Sequence, residues 1–102
     1  MTRIIYPSTE SIAYLEADVN YTIFHLNNGK KIVVSFTLKR YATDAQFNGF
    51  LRVHKSFLLN PKSIINYEQE GKKAKVYLSN GKSLQVSRRK ITEVKNSIRT
   101  KI

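Results

Sequence analysis

Phe50-Leu51-Arg52-Val53-His54-Lys55-Ser56-Phe57-Leu58-Leu59-Asn60 is the stretch that decides how this chain reads. It alternates apolar residues with Arg, His, Lys, Ser and Asn in a strand-like run. A core strand does not need that polar set, whereas a surface that grips phosphates and touches base edges does. The spacing predicts a strand with Phe50, Val53, Phe57 and Leu59 turned to the core. His54 and Ser56 share its other face, with Lys55 between them. Asn60 before Pro61 reads as a turn former.

Around this stretch the chain is short and basic. Its 102 residues fit one domain spanning 1–102, with 41% apolar residues for a modest core. The formal net charge is +11, unevenly placed. Residues 1–18 set Arg3 against Glu10, Glu16 and Asp18, whereas residues 71–102 hold ten bases against Glu93 alone. Such a field attracts polyanions; the bland alternative is a basic surface kept for solubility. No apolar run approaches a membrane span, and Met1–Pro7 has no signal-peptide core. Without cysteine there is no disulfide framework, thiolate metal site or Cys nucleophile. The inference is a cytoplasmic protein that neither spans nor lies on a membrane.

Two near-copies of a hairpin supply the next signal. Leu26-Asn27-Asn28-Gly29-Lys30 and Leu78-Ser79-Asn80-Gly81-Lys82 each set Asn-Gly between apolar flanks, which predicts two-residue type I′ turns. With Asn28-Gly29 as the loop, Ile23 faces Val34, Tyr21 faces Phe36 and Phe24 faces Val33. The first ribbon is then apolar on both faces and belongs in the middle of the structure; the second is expected to be more exposed. Further strands are expected at residues 12–17, 50–53 and 64–68. Helices are expected from Leu38, Tyr41, Ala42 and Ala45 behind Thr37, and from Ile91, Val94 and Ile98 behind Ser87. The fold class is mostly β with two short helices.

A catalytic constellation is hard to assemble. His54 and Ser56 could be read as base and nucleophile, but no Gly-rich oxyanion loop or orienting third group accompanies them. Glu16 and Asp18 form a close acidic pair, fewer carboxylates than metal nucleases gather. His25 reads as a packed strand residue. Neither a P-loop nor a dinucleotide glycine pattern occurs. The expectation is a non-enzyme without cofactor or metal. Binding is better supported, because Arg88, Arg89 and Lys90 crowd the start of the C-terminal helix, where the dipole disfavours cations unless an anion answers them.

These motifs together resemble the LytTR DNA-binding domain of bacterial transcription regulators. The resemblance rests on Phe50–Asn60 followed by Ile64, on Ile12–Ala17 with Asn20-Tyr21-Thr22, on Thr37-Leu38, and on Asn80-Gly81-Lys82 with Val86-Ser87-Arg88-Arg89. It implies an elongated stack of short antiparallel β-sheets, a β-β-β arrangement, that binds double-stranded DNA through loops entering successive major grooves. By position, the family's base contacts fall on Asn20, Lys55 and Arg89. Its backbone contacts fall on Tyr21, His54, Ser56, Arg88 and Lys90. Arg52 is left between DNA contact and pairing with its own backbone. The resemblance also implies direct repeats bound by two copies, and a receiver domain or sensor kinase upstream in a two-component system. Since the chain starts at Met1, it reads either as an excised output domain of a response regulator or as a stand-alone regulator. A basic β protein binding RNA non-specifically, or associated with the ribosome, is the alternative, because six Tyr and five Phe could stack single-stranded bases.

Overall fold

The computed structural model describes the backbone of residues 8–101 and the side chains of residues 8–97. Eight strands form two antiparallel sheets: β1 (Ile12–Asp18), β2 (Tyr21–Leu26), β3 (Lys31–Val34), β4 (Leu51–His54) and β5 (Phe57–Leu59) in one, β6 (Ile64–Glu70), β7 (Lys73–Leu78) and β8 (Ser83–Val86) in the other. The first sheet runs β3-β2-β1-β5-β4, the second β6-β7-β8. Two short helices, α1 (Leu38–Ala42) and α2 (Ile91–Lys101), complete a body measuring 49 × 24 × 22 Å. Mostly β, elongated and built of short antiparallel sheets, it has the expected class.

β1 is central because it is apolar on both faces. Its residues 12–15 are all buried, and a bulge at Ala13 shifts the register between Ile12 and Tyr14. A bulge re-aims the side chains on either side of it, so Ile12 and Leu15 face one core while Ala13 and Tyr14 face the other. On the first face Leu15, Phe24, Leu26 and Leu58 pack under Leu38, Tyr41 and Phe47. On the second, Tyr14, Val53 and Leu59 meet the inner residues of β7 and β8 and, from α2, Ile91 and Val94. β7 and β8 alternate buried and exposed residues, the mark of a half-buried sheet. The side chain of Ile98 lies outside the described residues. Ala45 is not part of α1: the helix stops at Ala42, and Asp44 caps a separate 3₁₀ turn, Ala45–Phe47.

The hairpins depart from expectation. Each closes through a three-residue loop: the Gly29 N–H donates to Leu26 O (3.0 Å) and the Leu26 N–H to Lys30 O (2.9 Å). The Gly81 and Leu78 N–H groups repeat the pattern with Leu78 O and Lys82 O. Only the glycines, at φ 90° and 85°, are left-handed. Asn28 and Asn80 instead use their side chains to accept from Lys30 and Lys82 N–H. This is the type I turn plus a left-handed residue, which demands one positive φ where type I′ demands two. The register therefore slips by one: Ile23 faces Val33, Phe24 faces Ile32 and Thr22 faces Val34. β3 becomes an edge strand with Val33 64% exposed. The first ribbon is thus not central, and the second, with one face fully packed, is the better buried.

The two hairpin tips meet. Asn27 Oδ1 accepts from Ser63 Oγ and Ser79 Oγ, both at 2.9 Å, and the Ser79 N–H donates to Ser63 O. That network ties the sheets at one end and leaves the opposite turns at the other.

Candidate nucleic-acid interface

The run Phe50–Asn60 is a hairpin rather than one strand. β4 and β5 pair antiparallel, His54 opposite Phe57, so Lys55 and Ser56 form its two-residue tip. Val53 and Leu59 are fully buried, as expected, and Leu58 fills the opposite core; Phe50 and Phe57 are partly buried. Asn60 is a turn former: its Oδ1 accepts from Lys62 N–H (3.1 Å), and its Nδ2 donates to Ile12 O (2.8 Å) and Thr9 O (3.2 Å).

Arg52 holds the tip from below. Its Nε donates to His54 O (3.1 Å) and its Nη2 to Lys55 O (2.6 Å). The guanidinium fork spans two successive carbonyls, a geometry one ammonium does not reproduce. Arg52 therefore pairs with its own backbone. His54 Nδ1 accepts from the Ser56 N–H (3.2 Å). The contact uses the backbone amide and not the hydroxyl, so it fixes a turn rather than activating a nucleophile. Since Ser56 lies in the turn, it does not share a strand face with His54. Beneath, the Phe57 ring lies 5.5 Å from that of His54 and meets Tyr14 edge-on at 5.8 Å.

The other expected elements arrive through two backbone hydrogen bonds. The Ala17 N–H donates to Ser56 O (2.8 Å), which sets the β1–β2 turn, Val19-Asn20, at the same end of the sheet as Lys55. Asn20 is exposed there, with Tyr21 beside it at 52% exposure. Val19, at φ 54°, is the one non-glycine with positive φ among the described residues, a strained position for a β-branched side chain. The Ser87 N–H donates to Val53 O (2.7 Å) and docks the Arg88–Lys90 3₁₀ turn, which runs directly into α2, beside the end of β4. Arg88 and His54 line one groove. Arg89 is exposed. Unlike Arg88 and Arg89, Lys90 has a carboxylate partner, its Nζ lying 3.3 Å from Glu93 Oε2; this exposed pair is a weak restraint.

The remaining candidates are accounted for by packing. His25 is buried, stacked on Tyr14 at 4.1 Å, with its Nε2 2.8 Å from Glu16 Oε1. Burial lowers its pKa, an effect the Glu16 hydrogen bond partly offsets. Burial first, then the Glu16 charge, push the Tyr14 phenol up to about 12. Glu16 is thereby committed to His25. Among the described residues no three His, Cys, Asp or Glu side chains converge as a metal site would require, and no helix is long and apolar enough to cross a membrane.

Sequence reasoning missed Lys72, Lys73 and Gln85, which line the groove beside His54 and Arg88. The signal was the Gly71-Lys72-Lys73 tip; the β7–β8 register, Ala74 opposite Val86, sets it beside Arg88, and the docking of the two sheets brings His54 to both.

With this arrangement in view, the matches to known proteins are decisive. The family model of the LytTr DNA-binding domain matches residues 2–99. The chain belongs to the LytTr DNA-binding domain family. A solved LytTr domain, from a response regulator of Bacillus cereus, superposes with a TM-score of 0.71 at 20% identity, covering 87% of this chain and 82% of that one. At that identity the likeness concerns the fold. No curated protein matches. LytTr membership supports DNA binding in transcription regulation; the family is one of DNA-binding domains, not of enzymes.

Proposed function

We infer that this LytTr domain binds double-stranded DNA sequence-specifically as the output module of a transcription regulator, with loops rather than a helix entering successive major grooves. One observation carries the reading: the turns bearing Asn20 and Lys55 and the segment bearing Arg89 are joined at one end by the Ala17–Ser56 and Ser87–Val53 hydrogen bonds. In this reading Asn20 and Arg89 contact base edges and Lys55 the intervening groove, as Arg and Lys suit guanine and Asn suits adenine. Tyr21, His54, Ser56, Arg88 and Lys90 hold the backbone and fix register. Two copies on direct repeats would double the footprint, and a receiver domain or sensor kinase would deliver the signal. The setting is the bacterial cytoplasm, and residues 1–102 act as one domain.

The RNA alternative loses its main support. Phe24, Phe47, Tyr14 and Tyr41 are buried in the cores and the remaining Phe are partly buried, so few aromatic rings are left as a stacking platform.

The test is a pair of variants on a duplex selected from a random pool. Arg89→Ala should cost about 1–3 kcal/mol concentrated at one base pair, whereas Lys90→Ala should weaken all sequences alike. Equal losses on selected and random duplexes for Arg89→Ala would remove it as a reader of sequence.

A further inference from the structure

The groove that sequence reasoning missed has no assigned role, and its composition is unusual. It is lined by His54 from the end of β4, Lys72 and Lys73 from the β6–β7 turn, Gln85 from β8, and Ser87 and Arg88 from the segment that leads into α2. Three permanent cations line it and no carboxylate does. Glu70 stands opposite Lys73 in the ladder, yet none of the three cations forms an ion pair with another described residue. Gathering like charges works against the fold; Glu68 and Glu70 lie on the neighbouring face with Lys73, but no ion pair among the described residues offsets the charge here.

We propose that this groove seats the DNA backbone, making the β6–β7 turn a further DNA-contacting element beside the three loops already assigned. The proposal rests on the DNA-binding reading above. Two lysines supply point charges, Arg88 a planar fork suited to paired phosphate oxygens, and Gln85 and the His54 Nε2 further hydrogen-bonding groups. Such a set suits phosphodiester oxygens, to which cationic donors bind independently of the base. Gly71, left-handed at φ 62°, occupies the first of two turn positions between Glu70 and Lys73, where a tight hairpin turn accepts glycine. The tight turn places Lys72 and Lys73 on the groove wall instead of on a long free loop.

The experiment compares the double variant Lys72→Gln/Lys73→Gln with Lys30→Gln/Lys31→Gln. The second pair removes the same charge from the β2–β3 hairpin, at the far end of the sheet. Binding to a selected duplex and to a random duplex is measured from 50 to 200 mM salt, with circular dichroism to verify folding. If each lysine holds one phosphate, the logarithmic salt slope becomes shallower by roughly 1.8. The ratio of wild-type to variant affinity then shrinks roughly twelvefold across that range, by the same factor on both duplexes. The control pair should leave the slope at the wild-type value. Identical slopes for the two double variants would overturn the groove assignment while leaving DNA binding intact. Wild-type protein that binds neither duplex at 50 mM salt would overturn the DNA-binding reading itself.

Discussion

Replacing Arg52 by Ala tests how the β4–β5 tip is held. The side chain makes two hydrogen bonds, to His54 O at 3.1 Å and Lys55 O at 2.6 Å. Hydrogen bonds of this kind contribute roughly 0.5–1.5 kcal/mol each, more when the donor is charged. The tip is partly exposed, so solvent screens the charge-assisted share and water takes over the orphaned carbonyls. The sum worked from the structure is therefore about 1–3 kcal/mol of unfolding free energy, read from urea melts at constant m-value. Arg52→Lys should recover little of it, because one ammonium does not span both carbonyls in the plane of the fork. On DNA the consequence is specific. Loosening the tip lets Lys55 and His54 explore positions that do not match the duplex, so affinity falls while the phosphates neutralised remain the same in number. The salt slope should then stay at its wild-type value for both variants. If Arg52 instead touched a phosphate, Arg52→Ala would make the slope shallower by roughly 0.9 and Arg52→Lys would restore it. That outcome, with unchanged stability, would refute the bracing role.

Three further outcomes are expected. Asn60→Ala removes three hydrogen bonds from a residue only 3% exposed, costing about 3 kcal/mol in urea melts; Asn60→Asp should be worse, since it turns a carboxylate on the Ile12 and Thr9 carbonyls, and a loss below that of an exposed Ala substitution would contradict the network. His25, whose folded pKa burial lowers from 6.5, is protonated first in the unfolded chain. Its stability contribution is full above pH 6.5 and lost as pH falls through the lower folded value, so His25→Gln should flatten the melting-temperature profile there, and an unchanged acid limb would exclude His25 as its source. Val19→Asn places a residue tolerant of positive φ where Val sits at 54° and 89% exposed; it should raise stability by about 1 kcal/mol, and a drop in melting temperature would mean that Val19 makes a contact outside this account.

The local rules were legible where they act over a few neighbouring residues. Asn80-Gly81 marked the hairpin of β7 and β8, Asn-Pro marked the break at residue 60, and the helical spacing of Leu38 with Tyr41 and Ile91 with Val94 marked both helices. Ala45 was misplaced because Asp44 restarts the backbone as a cap, a competition that spacing alone does not register. The hairpin register was misread for a similar reason. Asn-Gly permits two loop geometries, and in both copies the Asn side chain bonds two residues ahead, favouring the one that needs a single left-handed residue. A slip of one residue exchanges strand faces, which is why β3 emerges at an edge.

By itself, then, the sequence determined the class of the fold, its family and its basic character, because composition, turn chemistry and motif order are properties of the chain. Only the tertiary structure decided that Phe50–Asn60 folds back on itself, that Arg52 is spent on its own carbonyls, and that His54 stands beside Lys72, Lys73 and Arg88. Those outcomes depend on which strand edge meets which. A single hydrogen bond from Ser87 to Val53, between residues remote in sequence, helps dock the two sheets, and no local preference encodes that meeting.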